Sequence, residues 1–432
     1  MARPLKLFSS CILCFALAVC SIAVASFGQA VAPVITVDHG PNAAQQLSQP
    51  YVILVSLDGF RYDYAKKYHA EHLLALAAEG ASAPEGMLPS YPSITFANHY
   101  TIVTGLYPEH HGIVANEFYD PVQKEAYSYR DAKAVGDGTW YGGTPLWVLA
   151  EQQGMRSASF FWVGSEADVL GVRPSYYLKF DGKFPNSKRV EQVLAWLHLP
   201  PEQRPHMITL YFSDTDSAGH RYGPDSPQVA DAVHELDGEI GKLEDGIKES
   251  KLPVDLIVLA DHGMVTVKDG PIYLDQNGLK ASWVDPIVGS SLYAKSEEDA
   301  QKAYEALRGK SEKFSVYRRA QVPAYLHFNS NPREGDPVVV PNGPYYISIA
   351  ADPGGRGSPV GMHGFDVTRM PEMKALFVAA GPDIRSGVAL EPFENVDVYP
   401  LIAKILGLDI TSLKTGPIDG KLGALAGILK TK

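Results

Sequence analysis

Apolar residues along this chain follow two alternating patterns: short unbroken runs, and longer stretches that repeat every three or four positions. The runs are Tyr51–Leu57, Met207–Phe212, Leu256–Ala260 and Ala375–Ala380. Their length and lack of polar alternation predict strands buried on both faces. The clearest helical repeat spans Pro227 to Ile247, with Val229, Val233, Leu236, Ile240, Leu243 and Ile247 on one stripe. Ser226 is placed to cap that helix and Pro227 suits its first turn. Buried strands alternating with amphipathic helices predict an α/β fold, a sheet covered by helices on both faces. From about Leu274 to Tyr346 the pattern changes, with one helical repeat (Glu297 to Leu307) among short β-like pieces and turns such as Asn342-Gly343-Pro344. Residues 274–346 read as an insertion or smaller subdomain within a main domain spanning 51–432.

The first residues have a different character. Arg3 and Lys6 precede a mostly apolar run from Leu7 to Ala25 that closes on Ala23-Val24-Ala25, a small-x-small cleavage signature. Residues 1–25 therefore read as a signal peptide and the protein as exported, periplasmic or secreted, with no membrane span in the mature chain. Ala30-Val31-Ala32 offers a second cut. The rival, a retained anchor, is disfavoured by Ser9, Ser10 and Ser21 within a short run. Residues 26–50 are small and polar and read as a loose leader, with order beginning at Tyr51.

Composition adds two exclusions. All three cysteines (Cys11, Cys14, Cys20) lie in the leader segment, so the mature chain offers no disulfide, thiolate metal site or catalytic cysteine. The formal charge of -11 argues against tracking a nucleic-acid polymer. Any phosphate must be held by local features, with bound metal cations the obvious candidate.

Three of the apolar runs stop at, or just before, acidic residues. They lead into Asp58-Gly59, Asp214-Thr215-Asp216 and Asp261-His262-Gly263. Ligands of open α/β sheets bind beyond the carboxyl ends of the strands, so these carboxylates are aimed at one rim. Asp216 and His220 stand four apart, Asp261 and His262 are adjacent, and His363 lies in Gly361-Met362-His363-Gly364, where the backbone can turn it inward. Taken singly, such motifs are often turns. Together they predict a metal centre of Asp and His ligands, favouring zinc over other divalent ions, with two clusters allowing two ions.

The segment Pro92-Ser93-Ile94-Thr95-Phe96-Ala97-Asn98-His99-Tyr100-Thr101 leads irregularly into a helix that begins near Thr95. A threonine there is either a helix cap or a hydroxyl poised beside free N–H groups that hold an anion. This segment and Thr104-Gly105-Leu106-Tyr107-Pro108 through Asn116 resemble the nucleophile region of the nucleotide pyrophosphatase/phosphodiesterase family, of the alkaline phosphatase superfamily. Further blocks match in family order: Ser56-Leu57-Asp58-Gly59-Phe60-Arg61, Trp140 to Trp147, Phe161-Trp162-Val163-Gly164-Ser165, Asp216 to His220, Ala260 to Met264 and His363-Gly364-Phe365.

The resemblance implies an alkaline-phosphatase-like, mostly parallel sheet sandwiched by helices. It also implies hydrolysis of nucleotide phosphodiester and pyrophosphate bonds at two Zn²⁺ ions, through a covalent threonyl intermediate. Asp58, Thr95, Asp261 and His262 match the ligands of one zinc, and Asp216, His220 and His363 those of the other. Thr95 matches the nucleophile, and Asn116 with the Phe96 N–H matches the groups that hold a phosphoryl oxygen. Phe96 and Tyr177 match the aromatic pair that clamps a base. His99, His110 and His111 fall at structural positions. Ile94 stands where many members have lysine, and Ala97 where proline is common, which bears on substrate preference. Rival readings are a threonine-dependent phosphomonoesterase using Arg173 and Lys179, a diesterase of lipid or choline head groups, and a non-catalytic binding protein. The expected partner is a small phosphodiester or nucleotide. Oligomeric state is left open.

Overall fold

The computed structural model describes residues 33–285, 291–350, 359–411 and 413–431. The signal-peptide segment lies outside the described residues. Among the described residues nine strands form the main sheet: β1 (Ile35–Thr36), β2 (Tyr51–Leu57), β3 (Ala81–Ser82), β4 (Ser157–Phe160), β5 (Tyr176–Leu178), β6 (Met207–Phe212), β7 (Val254–Leu259), β8 (Phe377–Ala380) and β9 (Val388–Ala389), in the order β1-β5-β4-β6-β2-β7-β8-β3-β9. The five consecutive strands from β5 to β7 are parallel, and the edges are mixed. Every residue of β2, β6 and β7 is buried, as strands covered on both faces require.

The fourth apolar run forms β8, antiparallel to β7. The helices include α1 (Thr95–Thr104), α2 (Asp214–Tyr222) and α3 (Pro227–Ser250). The Ser226 hydroxyl accepts from the Val229 N–H, so the cap of α3 stands where the sequence puts it.

The segment expected to be a loose leader is packed from residue 33 onward. Ile35 and Thr36 pair with Tyr177 and Tyr176 as an edge strand. Asn42 is buried, donates to the carbonyls of Pro201 and Arg204, and accepts from the Arg156 N–H. Order is thus set by single side chains that satisfy backbone groups, which leaves no periodic trace in sequence.

Residues between Leu274 and Tyr346 hold a small apolar cluster of their own that includes Leu274, Leu292, Leu307 and Phe314. The helix Glu297–Leu307, capped by Ser296, packs on it. Among the described residues no helix is long and apolar enough to cross a membrane.

Candidate active site

Thr95 is the first residue of α1. Ile94 before it is extended (φ -120°, ψ 145°) and has no capping group, so Thr95 is not the cap. Its Oγ1 instead lies 3.2 Å from His262 Nε2. The irregular approach is held by Asn98, whose Oδ1 accepts from Ser90 N and whose Nδ2 donates to the carbonyls of Pro92 and Ile94.

Asp58 follows β2 directly, Asp216 and His220 share one face of α2, and Asp261-His262 come just after β7. His363 comes from a two-residue ribbon, Gly361–Met362, paired with Val265–Thr266 just beyond His262. The sheet thus brings six ligand-type side chains into two groups, Asp58, Asp261, His262 and Asp216, His220, His363, each with its ligand atoms within 4.8 Å of one another. The groups adjoin, for the His262 and His363 rings stack at 3.6 Å. Gly59 permits the close approach: at φ +67° it lies so near α2 that a Cβ would stand 2.9 Å from Asp216 Cα.

Five of these six side chains have one end anchored. Asp58 Oδ2 accepts from the Tyr211 hydroxyl at 2.5 Å, and Asp261 Oδ1 from Gly59 N at 3.1 Å. Asp58 Oδ1, Asp216 Oδ1 and Asp261 Oδ2 are buried and have no hydrogen-bond partner among the described residues. All three histidines put Nδ1 against a backbone carbonyl: His220 on Gly361 (2.8 Å), His262 on Gly263 (3.0 Å) and His363 on Ser93 (2.9 Å). A carbonyl only accepts, so Nδ1 carries the proton and the Nε2 lone pair is left for a ligand. Two such lone pairs, on His220 and His363, face each other at 3.1 Å, a pairing that a cation between them explains.

The electrostatics agree. Burial, then the neighbouring charges of Asp261 and Asp216, pushes the Asp58 carboxyl well up. Burial also raises Asp216, against the pull of His220 and His262. For Asp261 burial is outweighed by His262 and His99, which hold it well below the usual range, and Asp261 in turn raises His262 against burial, favouring a proton on Nε2 that a bound cation displaces. Burial, with His262 and His220 beside it, keeps His363 neutral. Buried carboxylates repelling one another, orphaned oxygens and ε-nitrogen lone pairs together fit divalent cations.

Asn116 lies beside the start of α1. Its Oδ1 accepts from Phe96 N at 3.0 Å, which takes up the N–H expected to hold a phosphoryl oxygen and leaves Asn116 Nδ2 as the donor for a ligand. The Phe96 ring stands 5.7 Å from Tyr129 and 6.2 Å from Tyr127. Tyr177 does not offer the stacking surface expected of it: in β5, paired with Ile35, it is only 7% exposed. Phe180, two residues past the strand, is 54% exposed, and its ring lies 6.1 Å from Tyr211, which holds Asp58. A three-residue strand gives too little alternation to tell which aromatic faces the site.

Of the other histidines, His99 is wholly buried with Nδ1 2.9 Å from the Thr95 carbonyl and 3.3 Å from Asp261, and Nε2 2.8 Å from Ser56 Oγ. His111 bonds Thr101 at 2.9 Å and burial lowers it to about 3, so it is neutral. His110 meets Asp419 at 2.7 Å. None belongs to either group.

An α/β sheet whose strand ends carry this centre defines a metal-dependent hydrolase. The pattern of the Type I phosphodiesterase / nucleotide pyrophosphatase family matches residues 52–366, and the chain belongs to that family. It is 36% identical over 384 residues to an uncharacterized pyrophosphatase/phosphodiesterase of Schizosaccharomyces pombe, covering 85% of this chain and 79% of that protein. It is 35% identical over 410 residues to ectonucleotide pyrophosphatase/phosphodiesterase family member 1 of Homo sapiens, covering 90% of this chain but 43% of the human one. Among solved structures, murine ectonucleotide pyrophosphatase/phosphodiesterase 5 matches with TM-score 0.81 and 29% identity, over 88% of this chain and all of that one. The same murine protein, as an inactive variant, has been solved in complex with AMP.

Proposed function

We propose that the protein is an exported phosphodiesterase that cleaves nucleotide diester and pyrophosphate bonds and releases nucleoside 5′-monophosphates by way of Thr95. The observation that carries this reading is the Thr95 hydroxyl, uncapped at a helix start and 3.2 Å from His262, beside two Asp/His groups. Two zinc ions, one held by Asp58, Asp261 and His262 with Thr95 and the other by Asp216, His220 and His363, would supply positive charge at the attacking and leaving oxygens. Thr95 Oγ1 gives up its proton to solvent and forms a bond to phosphorus as the leaving oxygen departs with its electron pair. Water then attacks the nucleotidyl-threonine, and Oγ1 leaves in turn. Asn116 Nδ2 holds a phosphoryl oxygen through the change of geometry, helped by the positive end of α1. Phe96 and Phe180 stack on the base, which predicts weak discrimination among bases. The AMP bound to the murine neighbour supports a nucleotide, and the name of the human relative, an ecto-enzyme, supports export.

The phosphomonoesterase reading needs a free cation beside the phosphate. Of the two cations this reading calls on, Arg173 is engaged by the Glu166 carbonyl at 3.0 Å and by Asp168 at 3.7 Å, and Lys179 is exposed next to Phe180. We expect kcat/KM for p-nitrophenyl thymidine 5′-monophosphate to exceed that for p-nitrophenyl phosphate by roughly 100-fold or more, with Phe180→Ala eroding the preference about tenfold. A preference for the monoester would sink the diesterase reading. Turnover of a p-nitrophenyl choline diester alone would move the substrate to head groups.

A further inference from the structure

Building on the phosphodiesterase reading, we infer that Arg189 is a positioning residue, which fixes the base-stacking Phe180 against the metal centre by tying their two backbone segments together. Arg189 lies in the helix Asn186–Leu197 and is only 2% exposed. Among the described residues, every hydrogen bond of its guanidinium goes to a main-chain carbonyl. Nε and Nη2 donate to the Phe184 carbonyl at 3.2 and 3.0 Å, and Nη1 donates to the Tyr211 carbonyl at 2.8 Å. Its Cζ stands over two rings, 5.2 Å from the centre of Phe161 and 5.5 Å from that of Phe212, which favours a buried positive charge.

The Tyr211 carbonyl needs this partner because the neighbouring strand stops short of it. Carbonyls of successive strand residues point to opposite neighbours, and that of Phe212 accepts from Asp58 N on the β2 side. That of Tyr211 therefore faces β4, whose pairing with β6 ends at Phe160 and Leu210. Phe161, at φ +67°, takes the chain out of the sheet there, and Arg189 supplies the donor that β4 no longer does. The same guanidinium holds the far end of the turn that carries Phe180. Phe180 N donates to Glu166 at 2.9 Å and Phe184 N to the Asp181 carbonyl at 3.0 Å, while the Phe184 carbonyl is the one Arg189 binds. The Phe180 ring rests 5.3 Å from Phe161 and 6.1 Å from Tyr211, whose hydroxyl holds Asp58. A planar fork of donors spans both carbonyls at once, where lysine offers one compact ammonium.

The role is tested with two diesters that share a leaving group, p-nitrophenyl thymidine 5′-monophosphate and p-nitrophenyl methyl phosphate. In Arg189→Met the ratio of kcat/KM, nucleoside ester over methyl ester, falls about tenfold or more, as it does in Phe180→Ala. The double variant falls little further, because a ring already out of place has no more stacking to lose. Arg189→Lys, the milder change, lowers the ratio by about threefold or more, and it decides the question should Arg189→Met not fold. A residue that served only the stability of the fold would slow both esters alike. A ratio unchanged in both Arg189 variants, or effects that multiply in the double variant, overturns the role. An unaltered enzyme inert on both diesters overturns the phosphodiesterase reading as well, and the two failures are thereby distinguished.

Discussion

Thr95→Ala lowers kcat for a nucleotide diester by at least about four orders of magnitude, while the zinc content of the protein stays near that of the unaltered enzyme. The size follows from removal of the only attacking atom in a covalent mechanism. The hydroxyls around the start of α1 are engaged elsewhere. Ser93 Oγ donates to the Phe365 carbonyl, Ser56 is paired with His99, Thr101 with His111, and Thr104 bonds the Tyr100 carbonyl. The fold does not depend on the lost group, because the start of α1 uses no side-chain cap. Metal retention follows from the six Asp and His ligands that remain. Activity and metal content, read on one preparation by steady-state kinetics and elemental analysis, separate a missing nucleophile from a collapsed centre. A rate within tenfold of normal would remove Thr95 from the chemistry.

Chelation gives the second large effect. After dialysis against a strong zinc chelator, turnover falls on the order of 10³-fold or more and returns on adding zinc. Without cations, the buried oxygens of Asp58, Asp216 and Asp261 lose their compensation, and these groups already raise or repel one another. Thermal stability falls with activity, because an ion bound only by the folded state stabilises it by about 4 kcal/mol at a thousand times its dissociation constant. The midpoint of unfolding, followed with and without zinc, reads this directly. A stripped protein of unchanged rate and midpoint would rule out a metal centre.

Much of this arrangement was legible in the sequence because continuous apolar runs are a strong signal. Tyr51–Leu57 and Met207–Phe212 are strands residue for residue, and each hands an acidic residue to the sheet rim. Five of the six ligand-type side chains meet because the strands that lead to them are neighbours, and His363 arrives on a separate ribbon, neither of which the runs alone state. The antiparallel direction of β8 was not legible, since an apolar run looks the same in either direction. Nor were the two-residue strands at the sheet edges, or the packing of Asn42, which rest on local hydrogen bonds rather than pattern. Tyr177 and Phe180 show the same limit at the site: the family resemblance pointed to an aromatic residue near that strand end, but burial decides which ring is open.

The stereochemical course at phosphorus tests the two-step mechanism most directly. A nucleotide diester made chiral by sulfur substitution is hydrolysed in water enriched in heavy oxygen, and the configuration of the phosphorothioate product is assigned. Two in-line displacements, first by Thr95 and then by water, predict net retention. Net inversion would mean that water attacks the substrate itself and would contradict the account.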